Sequence, residues 1–292
     1  PEAAFPRFAR RAAEELALTQ GAVSHHIKTL EALFGCDLFE RRGPKLSLTE
    51  HGRLLSQELK VGFKIIENAC ALLRQDRYGL RLKAPSTLTM RWLLRALDAF
   101  KKADDNCSVQ LSSVWMDIDT VDFYSEPYDC AILLASGRFP ADIESFKLFD
   151  EWLIPVCQPD YMPQAQPALA DLAQCEFLHP SPDRRDWRRW LARMGALEIS
   201  IDQGQVFDTL DQGISAAQQG LGISVVDLVL ASADLQAGRL VTPFKHAVAT
   251  GDGYYMTWLK ASPKARQMHK LRDFLLGQVP PLAYKDINYL YG

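Results

Sequence analysis

The chain has 292 residues, 48% of them hydrophobic, enough for two or three domains with a substantial buried core. Its formal net charge is −3, and residues 1–50 carry seven basic against seven acidic side chains, so the chain is no polycation and any nucleic-acid footprint must be local. No apolar run approaches the ~18 residues that span a bilayer, no signal peptide is evident, and the six cysteines show no C-x-x-C spacing, which argues against a membrane span and a cysteine zinc site and reads as reduced, mostly buried thiols in a cytosolic protein.

Residues 1–6 contain Pro6 and form at most part of a helix. A helix is expected from about Phe8 to Leu16, with Phe8, Ala12 and Leu16 on one face and the small pair Ala12-Ala13 permitting close approach. The brief connection Ala17-Leu18-Thr19 leads into a second helix over Thr19–Phe34. Val23, Ile27, Leu30 and Phe34 recur at i, i+4, i+7 and i+11, which predicts an inner face. Thr19 is the expected N-cap and Gly35 the expected left-handed C-cap. Gln20, Ser24, His25 and Lys28 lie off the inner face; all can hydrogen-bond and none is acidic, as a major-groove recognition helix requires. Any amphipathic surface helix also has a polar face that meets only water, so the surroundings decide. They favour DNA. Leu38, Phe39, Leu46 and Leu48 frame a hairpin whose Gly43-Pro44 turn is flanked by Arg41, Arg42 and Lys45, cations placed to reach phosphates.

Thr49 is the expected N-cap of a long helix running to about Arg77. Leu55, Leu59, Gly62, Ile66, Ala69 and Leu73 step alternately by four and three, the seam of a two-helix coiled coil. Leu55, Leu59, Ile66 and Leu73 are therefore the candidate dimerisation contacts, with packing of the helix onto its own domain as the alternative.

From Leu80 onward strands and helices alternate, which predicts an α/β fold. Strands are expected at Leu80–Ala84, Val109–Val114, Cys130–Leu134, Glu151–Cys157, Gly222–Val226 and Tyr254–Leu259. Helices are expected at Leu88–Ala103, around Trp187–Leu191, at Leu210–Gln218, Leu228–Leu235 and Lys264–Leu276. Open α/β sheets bind ligands beyond the carboxyl ends of their strands. There the chain places Ser86 and Thr87 at a helix start, Ser136 after the apolar run, and Asp208-Thr209 before another helix. Hydroxyls and amides at helix starts cradle a carboxylate, although each taken singly reads as an N-cap. Trp115, Phe207 and Tyr254 are candidate pocket walls, each of which also fits a core position. Arg184 and Arg185 stand as an anion clamp or a solvated pair.

Ala12-Ala13-Glu14-Glu15-Leu16, Thr19-Gln20, Ala22-Val23-Ser24, Ile27-Lys28, Leu30-Glu31, Gly35, Leu38-Phe39, Arg41, and Leu48-Thr49 with Gly52 resemble the N-terminal signature of LysR-type transcriptional regulators. Gly21 departs from it, standing where the family has proline. The segments Leu153–Cys157, His179–Trp187, Gly204–Asp208, Gly220–Ser224 and Ala237–Phe244 are similar to the branch of glycine-cleavage and β-lactamase-induction regulators. The resemblance implies an α+β multidomain chain: an N-terminal winged helix-turn-helix, a long linker helix, and a C-terminal α/β effector domain like the type II periplasmic binding proteins. It places the domains at 1–49, 50–78 and 79–292, with lobe I at about 79–157 and 248–278 and lobe II at about 158–247. It also implies double-stranded DNA with paired half-sites and a homodimer or homotetramer. The effector it implies is an amino acid, peptide or small carboxylate.

The function expected is thus an effector-controlled, sequence-specific transcriptional regulator with no cofactor, no metal and no catalytic residues. An enzyme of the same architecture is the less favoured reading: the chain has no G-x-S-x-G elbow and no Walker loop, and the local set His179, Ser181, Asp183 is too close in sequence for a triad. Residues 79–278 alone would also suit a transport-type solute-binding protein, but the N-terminal module and the missing signal peptide argue against one. A ligand-independent regulator of the same family would carry the same DNA-binding module. The segment Pro280–Gly292 lies beyond the resemblance, and no role is expected for it.

Overall fold

The computed structural model describes residues 12–13, 18–42, 45–74, 79–104, 107–114, 120–162, 167–282 and 284–291. The chain falls into two units, Pro1–Arg74 with Tyr124–Glu126, and Gln75–Phe123 with Pro127–Gly292. In the first, helix α1 spans Gln20–Phe34. Thr19 Oγ1 accepts from Ala22 N at 3.2 Å, and Gly35 closes the helix at φ 67°, a conformation that glycine adopts without strain. The inner face is shorter than the spacing predicts. Val23 is buried against Ala13, with Ala12 and Ile27 packed beside them, but Leu30 and Phe34 are 39% and 53% exposed. The described packing partners reach only the first two turns of α1. The rest of the expected Phe8–Leu16 helix lies outside the described residues.

After Gly35 the chain forms the hairpin β1 (Phe39–Arg42) and β2 (Lys45–Leu48), paired antiparallel with Phe39 opposite Leu48 and Arg42 opposite Lys45. The Gly43-Pro44 tip and the side chains of Arg41, Arg42 and Lys45 lie outside the described residues. A contact that sequence periodicity does not show ties this hairpin to α1. Glu31 Oε1 accepts from Leu38 N at 2.9 Å and Phe39 N at 3.3 Å, satisfying two amides at the entry of β1. Helix α2 then runs Glu50–Arg74. Thr49 caps it, accepting from Gly52 N at 3.0 Å while donating to Asp37 O at 2.7 Å. Along α2, Leu59, Phe63 and Ile66 are exposed and Leu55 is half-buried. The side chain of Leu73 lies outside the described set.

The second unit is organised by a sheet whose order is β4-β3-β5-β10-β6-β9-β7-β8, with β11 added to β10. The first three strands are β3 (Gly79–Pro85), β4 (Ser108–Val114) and β5 (Cys130–Ala135). Strand β3 alternates buried and half-buried residues, as a period of two dictates. It pairs parallel with both β4 and β5. The connection after β3 is α3 (Ser86–Leu88), a π-helical turn at Thr89–Leu93, and α4 (Leu94–Ala103). Such turns recur at functional sites.

Two strands are far longer than their apolar runs predict: β6 spans Ile143–Val156 and β10 spans His246–Leu259. Between them come β7 (Phe177–His179), α5 (Arg185–Met194), β8 (Gln205–Val206), α6 (Leu210–Gln218), β9 (Ile223–Asp227) and α7 (Leu228–Gln236). The end of β10 pairs with β5 and its start with β11 (Asn288–Leu290), while the end of β6 pairs with β9. The two long strands therefore run through two lobes. Their mutual register slips between Ala249 opposite Trp152 and Gly253 opposite Asp150, so Glu151 stands at a β-bulge where the strands pass from one lobe to the other.

Lobe I packs α4 and α8 (Ala265–Leu276) onto the sheet around Leu80, Leu82, Phe100, Ile132, Trp258 and Leu271. Lobe II has apolar side chains on both sheet faces. Ile154, Val156 and Val226 meet Ile214 on one side; Leu153, Ile223 and Val225 meet Trp187, Trp190 and Phe244 on the other. Period-two alternation between two covered faces is why β9 reads as continuous hydrophobe. The buried indoles keep their hydrogen bonds, Trp187 Nε1 to Leu178 O at 3.1 Å and Trp190 Nε1 to His246 O at 2.9 Å. The C-terminal segment completes this lobe: Tyr289 and Tyr291 set their rings edge-on to Trp152 at 5.1 and 4.9 Å.

Candidate functional site

On α1, Gln20, His25 and Lys28 are exposed and Ser24 is half-buried, so the four expected DNA-reading residues lie off the buried Val23–Ile27 side. Ser24 Oγ donates to Gln20 O at 3.0 Å, leaving its lone pairs as acceptors on the outer face. Neither His25 nor Lys28 is drawn into an ion pair among the described residues. Helix and hairpin are fixed to each other by Glu31, as docking of a helix and a wing on one duplex requires.

In the second unit, the carboxyl end of β3, the starts of α3 and α6, and the β6 bulge enclose a cavity of about 120 Å³. Ser86, Thr87, Asp208, Thr209 and Tyr254, expected from widely separated parts of the chain, all line it. Ser136 is exposed and Phe207 is half-buried against the lobe II core; neither is in the lining. Trp115 lies outside the described residues. A wider hollow of about 220 Å³ lies along Arg91, Arg95 and Gln236, away from the strand ends. The smaller cavity is the better site because it lies at the carboxyl end of β3, where open α/β sheets bind their ligands.

Thr209 does cap α6, and with Gln212 it forms a capping box. Its Oγ1 accepts from Gln212 N at 3.3 Å. Thr87 is no cap. Its Oγ1 accepts from Asp211 N at 3.2 Å, joining the helix that follows β3 to the first turn of α6.

Sequence reading missed the acidic wall. Glu151 and Asp186 line the cavity and are 5% and 8% exposed. Asp227 lies fully buried nearby, its carboxylate accepting from Trp152 N and Leu230 N, both at 3.0 Å. Burial, then the neighbouring Asp186 and Asp227, push the Glu151 carboxyl up to about 8. Burial, partly offset by its backbone hydrogen bonds, raises Asp227 to about 7. Arg185, one of the two arginines considered as a clamp, lines the cavity with Nε 3.5 Å from Asp186 Oδ1. Arg184 adopts φ 55°, the left-handed region unusual for an arginine, as the chain turns into α5 and delivers Arg185 and Asp186 to the cavity. The only sequence signal for this wall was a Glu next to an apolar β6 run and an acidic residue in the first turn of α5.

His179 is fully buried with Nε2 on Gln203 O at 2.8 Å, and burial lowers its pKa. It is a core histidine, separate from the Ser181–Asp183 hydrogen bond. Cys107, Cys130 and Cys157 are buried free thiols, with burial pushing Cys157 to about 12. No described helix is long and apolar enough to cross a membrane.

Residues 8–53 match the bacterial regulatory helix-turn-helix protein, lysR family, and residues 74–280 match the LysR substrate binding domain. The glycine cleavage system transcriptional activator of Escherichia coli (strain K12) is 31% identical over 272 residues, covering 92% of this chain and 88% of that protein. The HTH-type transcriptional activator AmpR of Pseudomonas aeruginosa is 31% identical over 269 residues, covering 91% and 88%. The solved effector domain of that AmpR superposes with a TM-score of 0.59 at 27% identity, over 70% of this chain and 96% of its own. The full-length Vibrio cholerae virulence activator AphB shares the fold over 93% of this chain and 94% of its own, with a TM-score of 0.55 at 19% identity. These relatives are transcriptional regulators, not enzymes. A DNA-binding N-terminal module and an effector-binding α/β domain, matched in order and across nearly the whole chain, establish that this protein belongs to the LysR family of bacterial transcriptional regulators.

Proposed function

We propose that this cytoplasmic regulator reads paired DNA half-sites with Gln20, Ser24, His25 and Lys28, holds flanking phosphates with Arg41, Arg42 and Lys45, and responds to an amino acid, peptide or small carboxylate bound in the cleft. The working division is a DNA-binding domain at 1–49, a linker helix at 50–78 and an effector domain at 79–292. Dimerisation uses Leu55, Leu59, Ile66 and Leu73 on α2; the exposure of Leu59 and Ile66 on a 25-residue helix supports a partner helix there. The observation that carries the effector reading is the convergence of Ser86, Thr87, Asp208, Thr209 and Tyr254 on one cavity.

Thermal unfolding against a panel of those compounds tests it. A ligand at 100 times its Kd adds about 2.7 kcal/mol to stability. Thr87→Val is expected to abolish that shift and the effector-dependent change in DNA footprint while DNA affinity is retained. A preserved response moves the site elsewhere. On the DNA side, Arg41→Ala or Arg42→Ala should weaken binding to all sequences and lower the salt slope by about one per lost phosphate contact; an unaltered slope makes the hairpin a solvated turn. His25→Ala should instead relax preference at one base position, by roughly 1–3 kcal/mol, in a binding-site selection. An unchanged preference there removes His25 from base reading.

A further inference from the structure

We propose that the effector carries a protonated amine, and that Glu151, with Asp186 beside it, is the seat of that ammonium group. This rests on the reading of the cleft as the effector site and narrows it from carboxylates in general to amino acids and short peptides.

The cavity lining is chemically mixed. It includes the hydroxyls of Ser86 and Thr87 beside Asp208, Thr209 and Leu210 at the start of the nine-residue α6. It also includes two carboxyl groups, each nine-tenths or more buried, Glu151 at the β6 bulge and Asp186 in the first turn of α5. A hydrogen bond from Thr250 supports the Glu151 carboxylate, but Oε2 accepts none. Its nearest cation is Arg189, with Nη1 at 3.7 Å, beyond hydrogen-bonding distance; the same nitrogen stands closer to Asp252, at 3.2 Å. Arg189 is thus engaged mainly outside the cavity. A buried carboxyl oxygen with no hydrogen-bond partner costs free energy whether or not it carries a proton, unless something else supplies a partner. An ammonium group supplies three donors and a positive charge in a small volume. Among the described residues no group of three His, Cys, Asp or Glu side chains is arranged to hold a metal.

The titration of Glu151 agrees. The groups facing it are Asp186 and Asp227, which raise its pKa, and Thr250 and Arg189, which lower it less. In the empty cleft it holds a proton up to about pH 8. An arriving ammonium favours the ionised form, so binding releases a proton and affinity rises with pH toward that value.

The test is thermal unfolding of the full-length protein with standard L- and D-amino acids and alanine-containing dipeptides. Each is set beside the same molecule lacking its amine, with magnesium and calcium chloride alone as further probes. We expect an amine-bearing compound to act at concentrations at least about tenfold below its des-amino counterpart, and Glu151→Gln to lose that preference. Calorimetry of the wild type in two buffers of different ionisation enthalpy is expected to show proton release on binding, which keeps the proposal testable should the variant fold poorly. Des-amino compounds that act equally well, or a Glu151→Gln variant that keeps the preference, overturn the ammonium seat and leave the cleft as the effector site. So does stabilisation by the metal chlorides that Glu151→Gln removes. No shift with any compound, with or without an amine, overturns both readings.

Discussion

Gly52→Ala is expected to abolish specific DNA binding and to destabilise the DNA-binding module while leaving the effector domain's unfolding unchanged. A methyl group built at Gly52 would stand 2.0 Å from Leu38 O and 3.1 Å from the Leu48 side chain. The first of these is backbone, so no rotamer change relieves it. Leu38 O already accepts from Thr49 N at 3.0 Å, and Leu38 N donates to Glu31. Pushing Leu38 away from α2 therefore breaks the bond that starts α2 and pulls on the bond that holds the hairpin to α1. Overpacking of this kind costs typically ~1–3 kcal/mol. The two strained hydrogen bonds add about 1 kcal/mol each. A module whose small described core centres on Ala13 and Val23 has little reserve against such a loss. Circular dichroism melts of wild type and variant, read with a DNA-binding titration, decide the point. A variant that binds its operator normally and melts unchanged would mean that α2 and the hairpin shift apart freely.

Which parts of this architecture were legible in advance follows from the range of the interactions involved. Thr19, Gly35 and Thr49 were legible because a cap is decided within a few residues of itself. Helix α6 was legible to the residue because its capping box and its apolar period lie in one window. The extents of β6 and β10 were not. The first half of each pairs antiparallel with the second half of the other and shows no continuous apolar run, so only the partner strand makes it a strand. Strand β8, two residues long and exposed, carries no local signal at all. The cleft divides in the same way. Ser86, Thr87 and Thr209 announce themselves as hydroxyls at helix starts. Glu151 does not, because a glutamate inside a strand reads as a solvent-facing alternation until the bulge turns it inward. Leu30 and Phe34 fail in the opposite sense: helical spacing defines a face, but the amount of that face which is covered depends on other segments.

Arg91→Met is expected to cost the effector domain roughly 3 kcal/mol, the low end of the range for removing one member of a buried ion pair. The guanidinium, on the π-helical turn after β3, reaches two helices at once: Nε to Asp211 Oδ1 of α6 and Nη1 to Asp234 Oδ2 of α7, both at 2.5 Å. The Asp234 side chain is only 4% exposed, so removing Arg91 strips charge compensation from a carboxylate that water barely reaches. Arg239 remains on Asp234 Oδ1, with Nε at 2.8 Å, and Asp211 is partly solvated, which is why the low end applies. The consequence for function follows from position. Thr87 and Arg91 are four residues apart on consecutive turns, and both contact Asp211, one through its amide and one through its carboxylate. An effector that draws on the Thr87 hydroxyl therefore perturbs the same first turn of α6 that Arg91 anchors. Loss of the anchor should weaken the effector-induced unfolding shift as well as basal stability, and Arg91→Lys should restore neither in full, since an ammonium cannot reproduce the two-carboxylate fork. Urea unfolding with and without effector measures both quantities. A change below about 0.5 kcal/mol, the scale of a surface substitution, would mean that solvent screens this cluster and that α6 is held by packing alone.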